Sequence, residues 1–255
     1  MSKRPQIKQT DVASLAFETN GRGYLGFIVE LPGAFVRGRT EEEAVAKVHR
    51  EADLYLKWLG VEQKHDYKVQ VIQRHRSTLT VEDADSEILL QADQERLSDR
   101  EFQNLLDLVR FSGETFSQLY ANTRFKDRID ESRIRKTFYG DNPATLQAIF
   151  EHVKRCQYYY LSRMKIAEQT EDDFMTIRDF CLAKLESIYR ENNNAPEHEI
   201  DNERWTLKKV LRRYVWHDRI HGKAMTRILD KQRQLGLIGE YEDPFHFRET
   251  FSRDS

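Results

Sequence analysis

Cysteine is nearly absent. The chain carries two, Cys156 and Cys181, too few for a disulfide framework, and a reducing cytoplasm is the expected home. Long apolar runs are missing as well. None approaches the ~18 residues of a bilayer-spanning helix, so no membrane partner is expected. The opening Met1-Ser2-Lys3-Arg4-Pro5-Gln6 leads into polar residues and lacks the apolar core of a signal peptide. Charge of one sign is also wanting. The 41 Lys and Arg nearly balance 43 Asp and Glu, for a net charge of −2, so nothing global drives the chain toward nucleic acid or an anionic surface. Local basic pairs such as Lys208-Lys209 and Arg212-Arg213 read as the solvated face of a helix. What is present is 39% hydrophobic and 33% charged sequence over 255 residues. That suits a soluble protein with real cores, as two domains or one large one.

The first 80 residues differ from the rest in periodicity and turn chemistry. Residues 13–19 alternate apolar and polar side chains, then Asn20-Gly21 marks a hairpin, because both residues tolerate positive φ. Residues 24–30 make the return strand, Pro32-Gly33 turns the chain again, and 34–37 form a third short strand. Thr40-Glu41-Glu42-Glu43 is a capping box. It opens a helix to about Leu59, stopped by Gly60, and residues 67–72 read as a fourth strand. The expected domain, over 1–80, is β-β-β-α-β with one helix covering one sheet face. Residues 81–97 read as a polar linker. Ser98-Asp99-Arg100-Glu101 caps a helix to about Tyr120. Asn142-Pro143 starts a second helix to about Met164, with Pro at the first helical position. A third begins near Thr170, and a fourth runs from about Thr206 to Leu235. Four long amphipathic segments over 98–237 predict an all-α four-helix bundle, followed by an aromatic tail over 238–255.

Within the fourth helix, His217 and His221 stand four residues apart on the stripe of Leu207, Val210, Leu211, Tyr214, Met225 and Ile228. Side chains at i and i+4 project from one face. Two imidazoles at that spacing can converge on one metal ion or satisfy a polar network. His152, midway along the second helix on a face with Ile149 and Cys156, is the best third ligand. Three imidazoles with open positions suit a divalent transition metal. Cys156, one turn past His152, reads as a fourth ligand, a redox-sensitive neighbour or plain core. Asp218 reads as an orienting partner for an imidazole, a base, or a surface or capping residue. Tyr159, Tyr214 and Trp216 read as pocket lining or as aromatic core. His49, His65, His75, His198 and His246 show no ligand spacing.

The segment Trp205-Thr206-Leu207-Lys208-Lys209-Val210-Leu211 with His217-Asp218-Arg219-Ile220-His221-Gly222 resembles the last conserved helix of the DinB-like (YfiT-like) bundle proteins. Residues 142–164, with Thr145-Leu146 before Glu151-His152, resemble the family helix that supplies the first histidine. The resemblance covers about 98–237. It implies an antiparallel four-helix bundle, a His152, His217 and His221 triad, a divalent ion such as zinc or nickel, and a homodimer. Its activities include thiol-dependent S-transfer and metal-dependent hydrolysis. Gly26-Phe27-Ile28-Val29-Glu30-Leu31-Pro32-Gly33-Ala34 followed by Gly38-Arg39-Thr40-Glu41-Glu42-Glu43-Ala44 resembles the HicB-like antitoxin fold over about 10–75. That resemblance implies a protein partner for the first domain. The family's separate DNA-binding segment has no counterpart here, because a helical bundle follows instead.

Two functions follow. The first is a metal-dependent enzyme, a thiol S-transferase or hydrolase acting on a small thiol or other small substrate. The second is a non-catalytic, HicB-like protein-interaction module with a structural, metal-bound bundle.

Overall fold

The structure, a computed structural model, describes residues 4–6, 11–61 and 67–248; His65 and the end of the aromatic tail, 249–255, lie outside them. The N-terminal region is mixed α/β. Strands β1 (Val12–Thr19), β2 (Tyr24–Ile28) and β3 (Phe35–Gly38) form an antiparallel meander. Helices α1 (Glu41–Val45) and α2 (Val48–Trp58) follow, then β4 (Lys68–Arg76), which pairs parallel to β1. The sheet order is β3-β2-β1-β4. The expected single helix is thus two. The break falls at Ala46-Lys47, where Lys47 has no side-chain cap and its ammonium reaches back to Glu43 and the Arg37 carbonyl, both at 2.7 Å.

Both sheet faces are covered, where one was expected. On one side Leu15, Phe17, Ile28 and Val36 pack into the core that holds Ala44, Val48 and Ala52 of α1 and α2. On the other, Ala16, Leu25, Phe27 and Phe35 bury against Trp216 and the segment bearing Val81, Ile88 and Leu90. The Pro32-Gly33 turn sits directly on the last helix. Gly33 has φ +89°, and an added Cβ would come within 2.5 Å of the Val215 side chain and 2.9 Å of the Trp216 nitrogen. Both the left-handed backbone and the close approach require glycine. Gly33→Ala should therefore cost about 2–4 kcal/mol, seen as a lower midpoint in urea unfolding. An unchanged midpoint would mean that the turn is not seated on this helix.

The C-terminal region is predominantly helical. Four long helices surround one core: α3 (Asp99–Ala121), α4 (Leu146–Ser162), α5 (Phe174–Asn192) and α6 (Leu207–Gln234). Two small hairpins interrupt them, β5 (Lys136–Thr137) with β6 (Gly140–Asp141), and β7 (His198–Ile200) with β8 (Glu203–Trp205). Helix starts follow side-chain caps. Ser98 and Glu101 form the expected reciprocal box, and Thr206 caps α6 through the Lys209 amide at 3.2 Å. Helix α4 begins later than Asn142-Pro143 suggests. Thr145 is its cap, accepting from Ala148 N at 2.9 Å, while the Asn142 amide donates to the Arg133 carbonyl at 2.7 Å. Helix α5 begins at Phe174 rather than near Thr170, because Asp173 supplies the cap.

Near the start of helix α6, three basic residues expected on a solvated face are buried instead. Lys209 is 0% exposed, Arg212 4% and Arg213 6%. Arg212 forms a two-pronged pair with Asp93 at 2.6 and 3.0 Å, Lys209 donates to the Glu87 carbonyl at 2.7 Å, and Arg213 donates to the Ser86 carbonyl at 2.9 Å. These partners all lie in the polar segment 81–97, which packs along α6 through two 3-10 turns at Val81–Asp83 and Gln91–Gln94. Buried cations require such satisfaction, so the acidic and polar residues there are the complement of α6.

Candidate metal centre

Helix geometry alone places the first two histidines. His217 and His221 are one turn apart on α6, with ring centroids 4.4 Å from each other. Helix α4 packs beside α6 and brings in His152, with centroids 5.2 Å from His217 and 4.7 Å from His221. Three imidazoles bound to one ion at about 2.0–2.1 Å place their ring centres about 4.5–5.5 Å apart. The two distances from His152 fall in that range, and the 4.4 Å between His217 and His221 lies just below it.

Hydrogen bonding points the same way. A neutral imidazole carries one donor and one acceptor. Among the described residues, neither His217 nor His221 has a hydrogen bond, and His221 Nδ1 is buried without a partner. The polar neighbour of His152 is the Cys156 sulfur, 3.7 Å from Nε2. The donor atoms of His152, Cys156 and His217 lie within 4.8 Å of one another, and His221, whose ring sits beside theirs, does not join that group. Burial, then the Arg155 charge, lowers the His152 pKa to about 4. Burial, with the neighbouring imidazoles behind it, holds His217 and His221 well below the ordinary histidine range. All three rings are therefore neutral near pH 7, the state in which imidazole binds metal. Burial pushes the Cys156 thiol up to about 11. This donor set could hold a divalent ion.

Aromatic rings fix the imidazoles. Tyr160 meets His217 edge-on at 5.5 Å, and Tyr139, from the β5–β6 hairpin, lies 5.1 Å from His152. The three histidines line a cleft of about 1030 Å³, with residues 83–87 and Arg37 on one side and the β5–β6 hairpin on the other.

Asp218 is directed elsewhere. Its carboxylate pairs with Arg178 of α5 at 2.9 and 3.0 Å and makes no hydrogen bond to an imidazole. Arg178 also donates to Gln157 of α4 at 2.6 Å and to the Val109 carbonyl of α3 at 2.9 Å. Tyr214 donates to the Gln157 carbonyl at 2.6 Å, so it belongs to the core. Tyr159 and Trp216 line the cleft. A second donor cluster joins Glu18 and His75, register partners on β1 and β4, to Glu87. There His75 and Glu87 already satisfy each other at 3.2 Å.

Arginines of the cleft escaped the sequence reading. Arg37, Arg133 and Arg227 line it, and the available signal was weak: Arg227 lies on the face of α6 that also carries Ala224 and Ile220, six residues past His221. No helix among the described residues is long and apolar enough to cross a membrane. No family model, curated protein or solved structure matches the chain.

Proposed function

We propose that the chain is a divalent-metal enzyme of the thiol S-transferase or hydrolase class, with zinc or nickel held by His152, His217 and His221. On this reading the four long helices are a DinB-like bundle. The observation that carries it is the meeting of three neutral imidazoles, without oxygen partners, on the wall of an open cleft. When bound, the ion supplies Lewis acidity, polarising a substrate and lowering the pKa of a coordinated water or thiol. The chain's own residues supply the rest. Helices α4 and α6 fix the rings, burial keeps them unprotonated, and Tyr139 and Tyr160 restrict their rotation. The cleft gives a small substrate access to one side of the triad.

Cys156 separates this reading from the second, in which the bundle holds a structural ion and the HicB-like domain captures a protein. Structural zinc sites are closed by four protein ligands, whereas catalytic sites keep one position open. Untagged protein equilibrated with limiting zinc should retain one ion per chain, and Cys156→Ser should retain it too, while His152→Ala should not. Loss of the ion from Cys156→Ser would favour the closed, structural site. A wild type that retains none would end the metal reading. Assay of the loaded protein for conjugation of a small thiol to an electrophile, and for ester hydrolysis, then distinguishes the two reaction classes.

A further inference from the structure

Besides Arg213, four arginines line the cleft. Arg37 comes from β3, Arg133 and Arg135 from the connection after α3, and Arg227 from α6. They lie close enough to depress one another's charge. For Arg37, burial is the first cause and the Arg227 and Arg135 charges add to it against Asp83 and Glu82; for Arg133, burial is again first, with Arg227 and Arg135 adding to it against Tyr139 and Asp130. Arg133 and His221 line the same cleft.

Several carboxylates near the cleft already have partners, one of them Arg135 itself. Asp83 pairs with Arg135 at 2.7 Å, Asp130 with Lys231 at 2.7 Å and Asp230 with Arg248 at 3.1 Å. Glu82 pairs with Arg22 at 3.1 Å. Arg133 spends its Nε on the Pro143 carbonyl at 2.8 Å and its Nη2 on Asn142 at 3.4 Å. Arg37 donates to the Glu82 carbonyl. Among the described residues, Arg37, Arg133 and Arg227 therefore have no carboxylate at ion-pair distance. Guanidiniums without a carboxylate at ion-pair distance keep N–H donors available, and guanidinium forks match the geometry of carboxylate and phosphate oxygens.

We infer that Arg37, Arg133 and Arg227 form an oxyanion-binding subsite beside the histidine triad, so that the substrate is a small molecule bearing a carboxylate or phosphate. As a statement about substrate it rests on the enzymatic reading of the cleft. Binding itself needs only the arginines, so it is measured on the metal-free full-length protein, where failure of the metal reading leaves it intact. The probes are phenyl phosphate, benzoate and uncharged benzyl alcohol, followed by titration calorimetry. Both anions should bind and compete with each other, and the alcohol should not bind. Arg227→Gln, at an exposed helix position, and Arg133→Gln should each weaken anion binding about ten-fold or more, as loss of a charge-assisted hydrogen bond does. Lys136→Gln, at an exposed cation paired with Asp141, should leave binding unchanged. Stronger binding of phenyl phosphate identifies a phosphate-bearing substrate, and stronger binding of benzoate a carboxylate. Equal binding of the alcohol, or unchanged anion affinity in Arg227→Gln, would overturn the inference.

Discussion

Asp218→Ala should lower stability by about 3–5 kcal/mol, which for a chain of this size moves the melting midpoint down by roughly 10 °C. The reason is burial of its partner. Arg178 is 0% exposed and Asp218 1%, so removing the carboxylate leaves a guanidinium charge in the core. From α5 the guanidinium also reaches two further helices, through Gln157 of α4 and the Val109 carbonyl of α3. Gly113 of α3 makes room for it, since a Cβ there would lie 3.1 Å from the guanidinium carbon. Arg178→Ala should cost as much. The double replacement Arg178→Met with Asp218→Leu should recover most of the loss, because apolar side chains remove both buried charges together. Thermal melts followed by circular dichroism test this. A midpoint for Asp218→Ala within about 2 °C of wild type would show that the pair is not buried as described.

His217→Ala should abolish stabilisation by metal. Zinc at a free concentration of 100 times its dissociation constant should stabilise wild type by about 2.7 kcal/mol, raising its melting midpoint by about 5–10 °C. The variant should show no such rise. Without metal the two proteins should melt within about 2 kcal/mol of each other, because the ring removed has no hydrogen-bond partner to lose. Equal stabilisation of both proteins by zinc would place the ion somewhere else.

The parts of this molecule that were legible in advance depend on neighbours in sequence. The Ser98–Glu101 and Thr40–Glu43 caps, the Asn20-Gly21 and Pro32-Gly33 turns and the α6 stripe all lie within a few residues. Pairing of His217 with His221 is legible for the same reason. What failed depends on distant partners. Lys209, Arg212 and Arg213 look like a solvated face because the groups that satisfy them, Glu87, Asp93 and Ser86, lie 122, 119 and 127 residues away. Asp218 follows His217 in sequence and so suggested a role beside it, yet the ~100° step per residue turns its side chain toward α5. The start of α4 was misplaced because Asn142-Pro143 is a good local signal that the β5–β6 hairpin uses instead. His152 is intermediate. Its helical face and mid-helix position single it out, and the family resemblance points to it as well, but its meeting with α6 requires the packing of two helices. The arginine cluster draws on a strand, a loop and a helix, and no local pattern announces it.

X-ray absorption at the zinc edge of untagged, zinc-loaded protein tests the histidine site most directly. Expected is a shell of nitrogen and oxygen scatterers at about 2.0–2.1 Å with the multiple-scattering signature of three imidazoles, lost in the His152→Ala, His217→Ala and His221→Ala variants. A sulfur scatterer at about 2.3 Å, or a wild-type spectrum that those three substitutions leave unchanged, would contradict an open three-histidine centre.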